Sequence, residues 1–216
     1  MNYISLGGWC GPKLALEQNG LFNEASLPFD DVRSKFEGVI RNIEEDFKNF
    51  LTYTEQIGDL EFLGKDVSFF HHDLNNKDVF DSFGRKIDRF NEKNISKDNL
   101  CFIRNVTVDD YDLELNLYDK FKKIIKEKYN RDDFYFVFII SSAENTVLWK
   151  ALDSRCYVFS VMDIDINKQN VSIDQSGLTK LGDVYKPVFN FMNNLLIKKH
   201  KKTSNSDIYF GHKIYK

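Results

Sequence analysis

The chain has 216 residues, 42% hydrophobic and 29% charged, with a formal net charge of -3. That length suits one domain with a core that needs no disulfide or metal staple, and three cysteines exclude a disulfide framework. The acidic balance excludes a dedicated nucleic-acid-binding domain, no apolar run reaches membrane-spanning length, and the start lacks the basic and apolar regions of a secretory leader.

Residues 2–6 form a β-branched and aromatic run that predicts a strand, closed by the pair Gly7-Gly8. A helix follows over 11–18, stopped by Asn19-Gly20. After a connector at 26–31, and from Val32 onward, Phe36, Val39, Ile40, Ile43, Phe47, Phe50 and Leu51 recur at helical spacing and predict one long amphipathic helix. Residues 67–70 read as a strand that stops at His71-His72-Asp73. Val79, Phe83, Ile87 and Phe90 mark the next helix, with Arg85, Lys86 and Arg89 on its polar face. A strand at 100–106 ends on Arg104-Asn105, and a helix spans 109–129, acidic at its start and lysine-rich at its end. The apolar run 133–140, bounded by Ser141-Ser142, fits a strand buried on both faces. One or two strands are expected within 147–166 and a last helix over 184–197, with Pro187 in its first turn. Strands separated by helices indicate a three-layer α/β fold: a mainly parallel sheet with helices on both faces. The whole chain, 1–216, reads as a single domain ending in a basic tail at 198–216.

In an open α/β sheet, ligands bind outside the carboxyl ends of the strands. Those ends carry Cys10, His71-His72-Asp73, Arg104-Asn105 and Ser141-Ser142, residue types that apolar packing does not require. Cys10 follows a glycine turn at the start of a helix, where free N–H groups favour a thiolate below its ordinary pKa and could donate to an oxyanion. His71 and His72 are its candidate bases, and strand alternation points them to opposite faces, so one reaches the site. Cys101 and Cys156 lie within strand runs and read as packing residues. Four histidines without ligand spacing, and no CxxC or HExxH, give no metal site and no cofactor. The segment from Gly7 to Lys13 matches neither GxxxxGK[ST] nor GxGxxG, but a backbone phosphate site at Gly8, completed by Lys13 and Arg104, fits the architecture. Asn94, Asn105 and Asn170 begin N-x-S/T triplets, read as chance matches.

The segments 4–10 (ISLGGWC), 26–30 (SLPFD), 69–72 (FFHH), 85–90 (RKIDRF) and 102–104 (FIR) recur in this order in a known family. Over residues 2–142 the chain resembles a domain-of-unknown-function family catalogued as papain-like cysteine peptidases, found in bacteria and large DNA viruses. The resemblance implies a nucleophile at Cys10, a base at His71 or His72, and cleavage of a peptide or isopeptide bond through a thioester. Gly8, Trp9, Lys13, Asp30, Arg104 and Asn105 are the expected substrate contacts. The orienting third residue is open among Asp73, Asn105 and Asp109. Helices continue to alternate with strands after the first helix, which reads as three-layer α/β rather than papain's β-rich second half. Cys10 and His71 are 61 residues apart, against about 130–150 in the papain pattern.

Three functions therefore stand as expectations. The first is a thiol hydrolase acting on a peptide or protein substrate. The second is a nucleotide- or phosphosugar-binding transferase that holds a phosphorylated small molecule with the glycine turn, Lys13, Arg85 and Arg104. The third is a non-catalytic interaction protein. Nucleic acid and membrane are not expected partners, the oligomeric state is open, and the expected location is cytoplasmic, or the host cytoplasm for a viral source.

Overall fold

Alternating apolar residues build a sheet that is covered on both sides. The computed structural model describes residues 1–22, 25–58, 61–107, 109–143, 146–162 and 175–202, leaving out the side chains at 93, 94, 142, 143 and 198–202. The first part of the chain forms β1 (Asn2–Ser5), α1 (Gly11–Gln18), β2 (Arg33–Ser34), α2 (Phe36–Glu44), β3 (Tyr53–Ile57), β4 (Glu61–Gly64), β5 (Val67–Phe70) and α3 (Lys77–Arg89). A π turn, Phe90–Asn94, leads to β6 (Leu100–Val106), α4 (Tyr111–Asn116), α5 (Tyr118–Tyr129), β7 (Tyr135–Ala143), β8 (Val147–Ala151), β9 (Cys156–Met162) and α6 (Gln175–Lys202).

The main sheet has the order β1-β6-β7-β9-β8. β1, β6, β7 and β9 are parallel, and β8 is antiparallel to β9 at the far edge. Every residue of β6 is buried, and its side chains alternate between two cores. Cys101 and Ile103, with Val137 and Ile139 of β7, pack under Ala15 and Leu16 of α1 and Val188 and Met192 of α6. Phe102, Phe136 and Phe138 face Phe36 and Ile40 of α2 and Phe121 and Ile125 of α5. Edge-to-face rings fill this second core, among them Phe102–Phe121 at 5.0 Å between centroids. The result is the three-layer α/β fold expected from the sequence.

A second sheet, β2-β5-β4-β3, is antiparallel and sits in the long connection between α1 and β6. It was not anticipated from the sequence. It belongs to the same core as α2 through Phe62, Val67 and Phe69. β5, expected to join the main sheet, is a strand of this one.

Other elements differ from expectation for physical reasons. The helix expected from Val32 to Leu51 begins only at Phe36, because Arg33–Ser34 pair with β5 as β2, and it stops at Glu44, because Asp46 and Phe47 take left-handed backbone (φ 56° and 58°). Phe47 and Phe50 still reach the core, stacking on Phe29 from a turn rather than from a helix. The helix over 109–129 is broken at Leu117 into α4 and α5. Pro187 lies inside α6, which begins at Gln175 rather than near 184. The i−4 carbonyl that Pro187 cannot serve belongs to exposed Asp183. Lys86, expected on a solvated face, is buried, while Arg85 is exposed. Of the expected basic tail, 198–202 continue α6; residues 203–216, with His212, and the side chain of His200 lie outside the described residues, as does Asn170. No described helix is long and apolar enough to cross a membrane.

Candidate functional site

β1 is an edge strand, and its carboxyl end delivers the chain into a tight turn. Gly7 and Gly8 have φ of +71° and +96°. A Cβ on Gly8 would lie 2.2 Å from the Asn105 carbonyl oxygen, so the turn hugs the end of β6 in a way only glycine allows. The Asn105 N–H donates to the Gly7 carbonyl at 3.1 Å and extends the β1–β6 contact past the strand. Cys10 then occupies the N-cap of α1: its carbonyl accepts the first helical bond, from the Leu14 N–H at 3.1 Å. Trp9 lies so close over Gly11 that a Cβ there would meet the indole ring at 2.1 Å.

The connector after α1 brings in a carboxylate. Asp30 is buried, and its Oδ2 accepts the Leu27 N–H at 2.6 Å, closing a local turn. Burial pushes its carboxyl up to about 7. Arg89 of α3 fastens the same connector by donating from Nε and Nη2 to the Ser26 carbonyl at 3.1 and 2.7 Å. This turn projects the next residue, Asp31, between two ammonium groups: Lys13 Nζ at 2.8 Å and Lys86 Nζ at 2.9 Å. Burial opposes its charge, but Lys86 and Lys13 outweigh that and hold its carboxyl below the ordinary range.

Cys10 and His72 both feel this cluster. Burial first, and the Asp31 carboxylate second, push the Cys10 thiol above its ordinary value; its own backbone N–H, Lys13 and Arg33 pull the other way. The direction is opposite to that expected from the helix terminus alone. Burial and the Lys86 ammonium hold His72 below its ordinary value, with Asp31 opposing, so the imidazole is neutral at pH 7. Its ring packs edge-on against Phe83 at 5.2 Å. His71, with φ 68°, is exposed and stacks on Phe70. Of the two histidines, His72 is thus the one that shares charged neighbours with Cys10. Among the described residues no hydrogen bond joins either imidazole to the Cys10 sulfur.

Other expected site residues are engaged within the fold. Arg104 is 2% exposed and all five of its N–H donors are used. Nε and Nη2 reach the Glu114 carboxylate at 2.9 and 2.7 Å, Nη1 reaches the Leu6 carbonyl and Ser34 Oγ, and Nη2 also reaches the Ser34 carbonyl. Asn105 Nδ2 donates to Tyr185 Oη at 3.2 Å and Ser141 Oγ at 3.3 Å. Asp73 Oδ1 accepts the Asn75 N–H in a turn, and Asp109 is exposed. Asp31, Lys86, Glu114 and Tyr185 were missed by sequence reasoning. A signal existed for two of them: Lys86 lies in the helical stripe of Phe83 and Phe90, and Glu114 in that of Tyr111 and Tyr118. Among the described residues no group of His, Cys, Asp or Glu is placed to hold a metal.

A cleft of about 830 Å³ opens beside this cluster. Gly8 and Trp9 form part of its wall, while Cys10 and the histidines do not line it; its other sides come from β2, the start of α2, the β4–β5 turn and the end of β6.

No curated protein matches the chain, and neither does any solved structure. A family model matches residues 1–61 and 56–144, two-thirds of the chain, the stretch that runs from β1 into β7 and carries Cys10, Asp31, His72, Lys86 and Asn105. The chain belongs to the family described as "Putative papain-like cysteine peptidase (DUF1796)".

Proposed function

We propose that the chain is a thiol hydrolase that cleaves a peptide or isopeptide bond, with Cys10 as nucleophile and His72 as base. What supports this reading is that Cys10 and His72, far apart in sequence, share the charged neighbours Asp31 and Lys13. The neutral His72 takes the thiol proton as the sulfur attacks the carbonyl carbon. The oxyanion that forms is held by the Gly11 and Lys13 N–H groups, which have no i−4 partner within α1; Pro12 between them offers none. Asp31 stabilises the imidazolium, which returns its proton to the leaving amine; water then hydrolyses the thioester. Because the resting thiol is held up rather than down, proton removal accompanies attack instead of preceding it. The phosphate-binding alternative is weakened by Arg104, which keeps no donor, and by Lys13, which is neutralised by Asp31.

The test is acetylation by p-nitrophenyl acetate, followed by mass spectrometry and by nitrophenolate release. Wild type should acetylate at Cys10 and turn over. Cys10→Ala should abolish both, His72→Gln should slow acetylation, and His71→Ala should leave it unchanged. Buried Cys101 and Cys156 should stay unmodified until the protein unfolds. A Cys10 that acetylates no faster than the two buried thiols ends the reading.

A further inference from the structure

The cleft beside Cys10 is lined by as many cations as acids, but the two signs are not equally paired. Four acids line it, and three are engaged: Glu37 and Asp66 with Arg41 at 3.3 and 2.6 Å, and Glu114 with Arg104. The fourth, Asp110, accepts from Thr107 Oγ1. Three exposed cations, Arg33, Lys35 and Lys65, line the same space, and among the described residues none of them has an ion-pair partner, although the Arg33 guanidinium also lies over the Phe70 ring at 4.3 Å.

Their placement is built by the second sheet. Arg33 and Lys35 are two residues apart in extended chain and share a face. β2 pairs with β5 in the register Arg33↔Ser68 and Ser34↔Val67, so continuing it by one residue sets Lys35 opposite Asp66 and next to Lys65 in the β4–β5 turn. The Asp66 carboxylate is turned to Arg41, which leaves neighbouring ammonium groups facing the open cleft. An anion in the cleft would meet these cations without having to displace a carboxylate partner. The cleft also approaches the thiol: Gly8 and Trp9, part of its wall, lead directly into Cys10.

The geometry points to this cleft as the substrate groove of the thiol site, taking an extended peptide that carries a carboxylate side chain between Arg33, Lys35 and Lys65. A cleft of this volume, walled by the nucleophile turn, β2, the start of α2, the β4–β5 turn and the end of β6, has room for a stretch of extended chain. That the groove feeds Cys10 rests on the thiol-hydrolase reading; that it binds acidic peptide does not.

Binding is therefore measured first on the Cys10→Ala protein, by fluorescence anisotropy of a labelled peptide of alternating Glu and Gly and of its Gln counterpart. The Glu peptide should bind about tenfold more tightly than the Gln peptide, an advantage that should shrink as NaCl rises. Replacing Lys35→Glu together with Lys65→Glu should remove that advantage, and the Gln pair at the same positions should reduce it. Both sites are exposed, so the fold is kept; the Gln pair should leave the melting temperature unmoved, while the Glu pair, set against Asp66, lowers it slightly. Equal binding of the two peptides, indifference to charge reversal, or saturation by inorganic phosphate where the Glu peptide fails would overturn the assignment. In wild type, bound Glu peptide should protect Cys10 from iodoacetamide. Intact binding without protection would refute the link to Cys10, whatever the acetylation assay gives.

Discussion

Replacing Glu114 with Ala is the sharpest test of how the end of β6 is held. Its carboxylate accepts three N–H bonds, from Arg104 Nε, Arg104 Nη2 and the Phe36 N–H at the start of α2. The Arg104 and Glu114 side chains are 2% and 9% exposed, so in the folded protein each relies on the other rather than on water. Removing Glu114 leaves a buried guanidinium without a counter-charge, which costs about 3–5 kcal/mol. It also orphans the Phe36 N–H, for roughly another 1 kcal/mol. The expected loss of about 4–6 kcal/mol is comparable to the whole stability of a marginal domain. Urea unfolding followed by tryptophan fluorescence measures it. The companion variant Arg104→Met with Glu114→Leu removes both charges and should recover more than half of the loss. A Glu114→Ala loss below about 1 kcal/mol, or a double variant no better than the single, would refute the clamp and reopen Arg104 as an anion-binding residue.

Three further outcomes follow from the site geometry. Gly8→Ala sets a Cβ against the Asn105 carbonyl in left-handed backbone, and a thermal melt should show a loss of about 3 kcal/mol or more. Asp30 holds its proton up to about pH 7 when folded but only to about 3.9 when unfolded, so its contribution to stability falls as pH rises between those values. Asp30→Asn, which keeps an acceptor for the Leu27 N–H, should therefore stabilise the protein at pH 8 and make no difference at pH 4, as read by urea midpoints. Asp31→Asn removes the carboxylate that raises the Cys10 thiol and unpairs two ammonium groups, so iodoacetamide labelling at pH 7 should speed up. Labelling that slows instead would mean that Asp31 does not govern the thiol.

Much of the main sheet was readable because its strands are buried on both faces. β6 and β7 carry apolar residues at nearly every position, and α1 has its stop at Asn19-Gly20. β3 was not readable: all five of its residues are exposed, and its polar sequence makes an edge only because β4 lies beside it. α2 was over-read because Phe47 and Phe50 keep helical spacing while the chain reverses through left-handed residues that are not glycine. At the site, Cys10 and the histidine pair stood out by residue type and position. Asp31 did not, because its importance comes from Lys86, a lysine hidden in an apolar helical stripe 55 residues away. Pairings across that distance leave no local mark.

The register Asn2↔Leu100 also bears on how the protein is made. β1 touches the main sheet only through β6, so its docking closes a loop of nearly a hundred residues, at about 4 kcal/mol of chain entropy from the length alone. Cys10, Asp31, His72 and Lys86 all lie inside that loop. A chain emerging from the ribosome therefore exposes its thiol long before β6 exists to anchor the turn beside it. Contacts this distant in sequence form late, so the site is assembled near the end of folding and is silent until then.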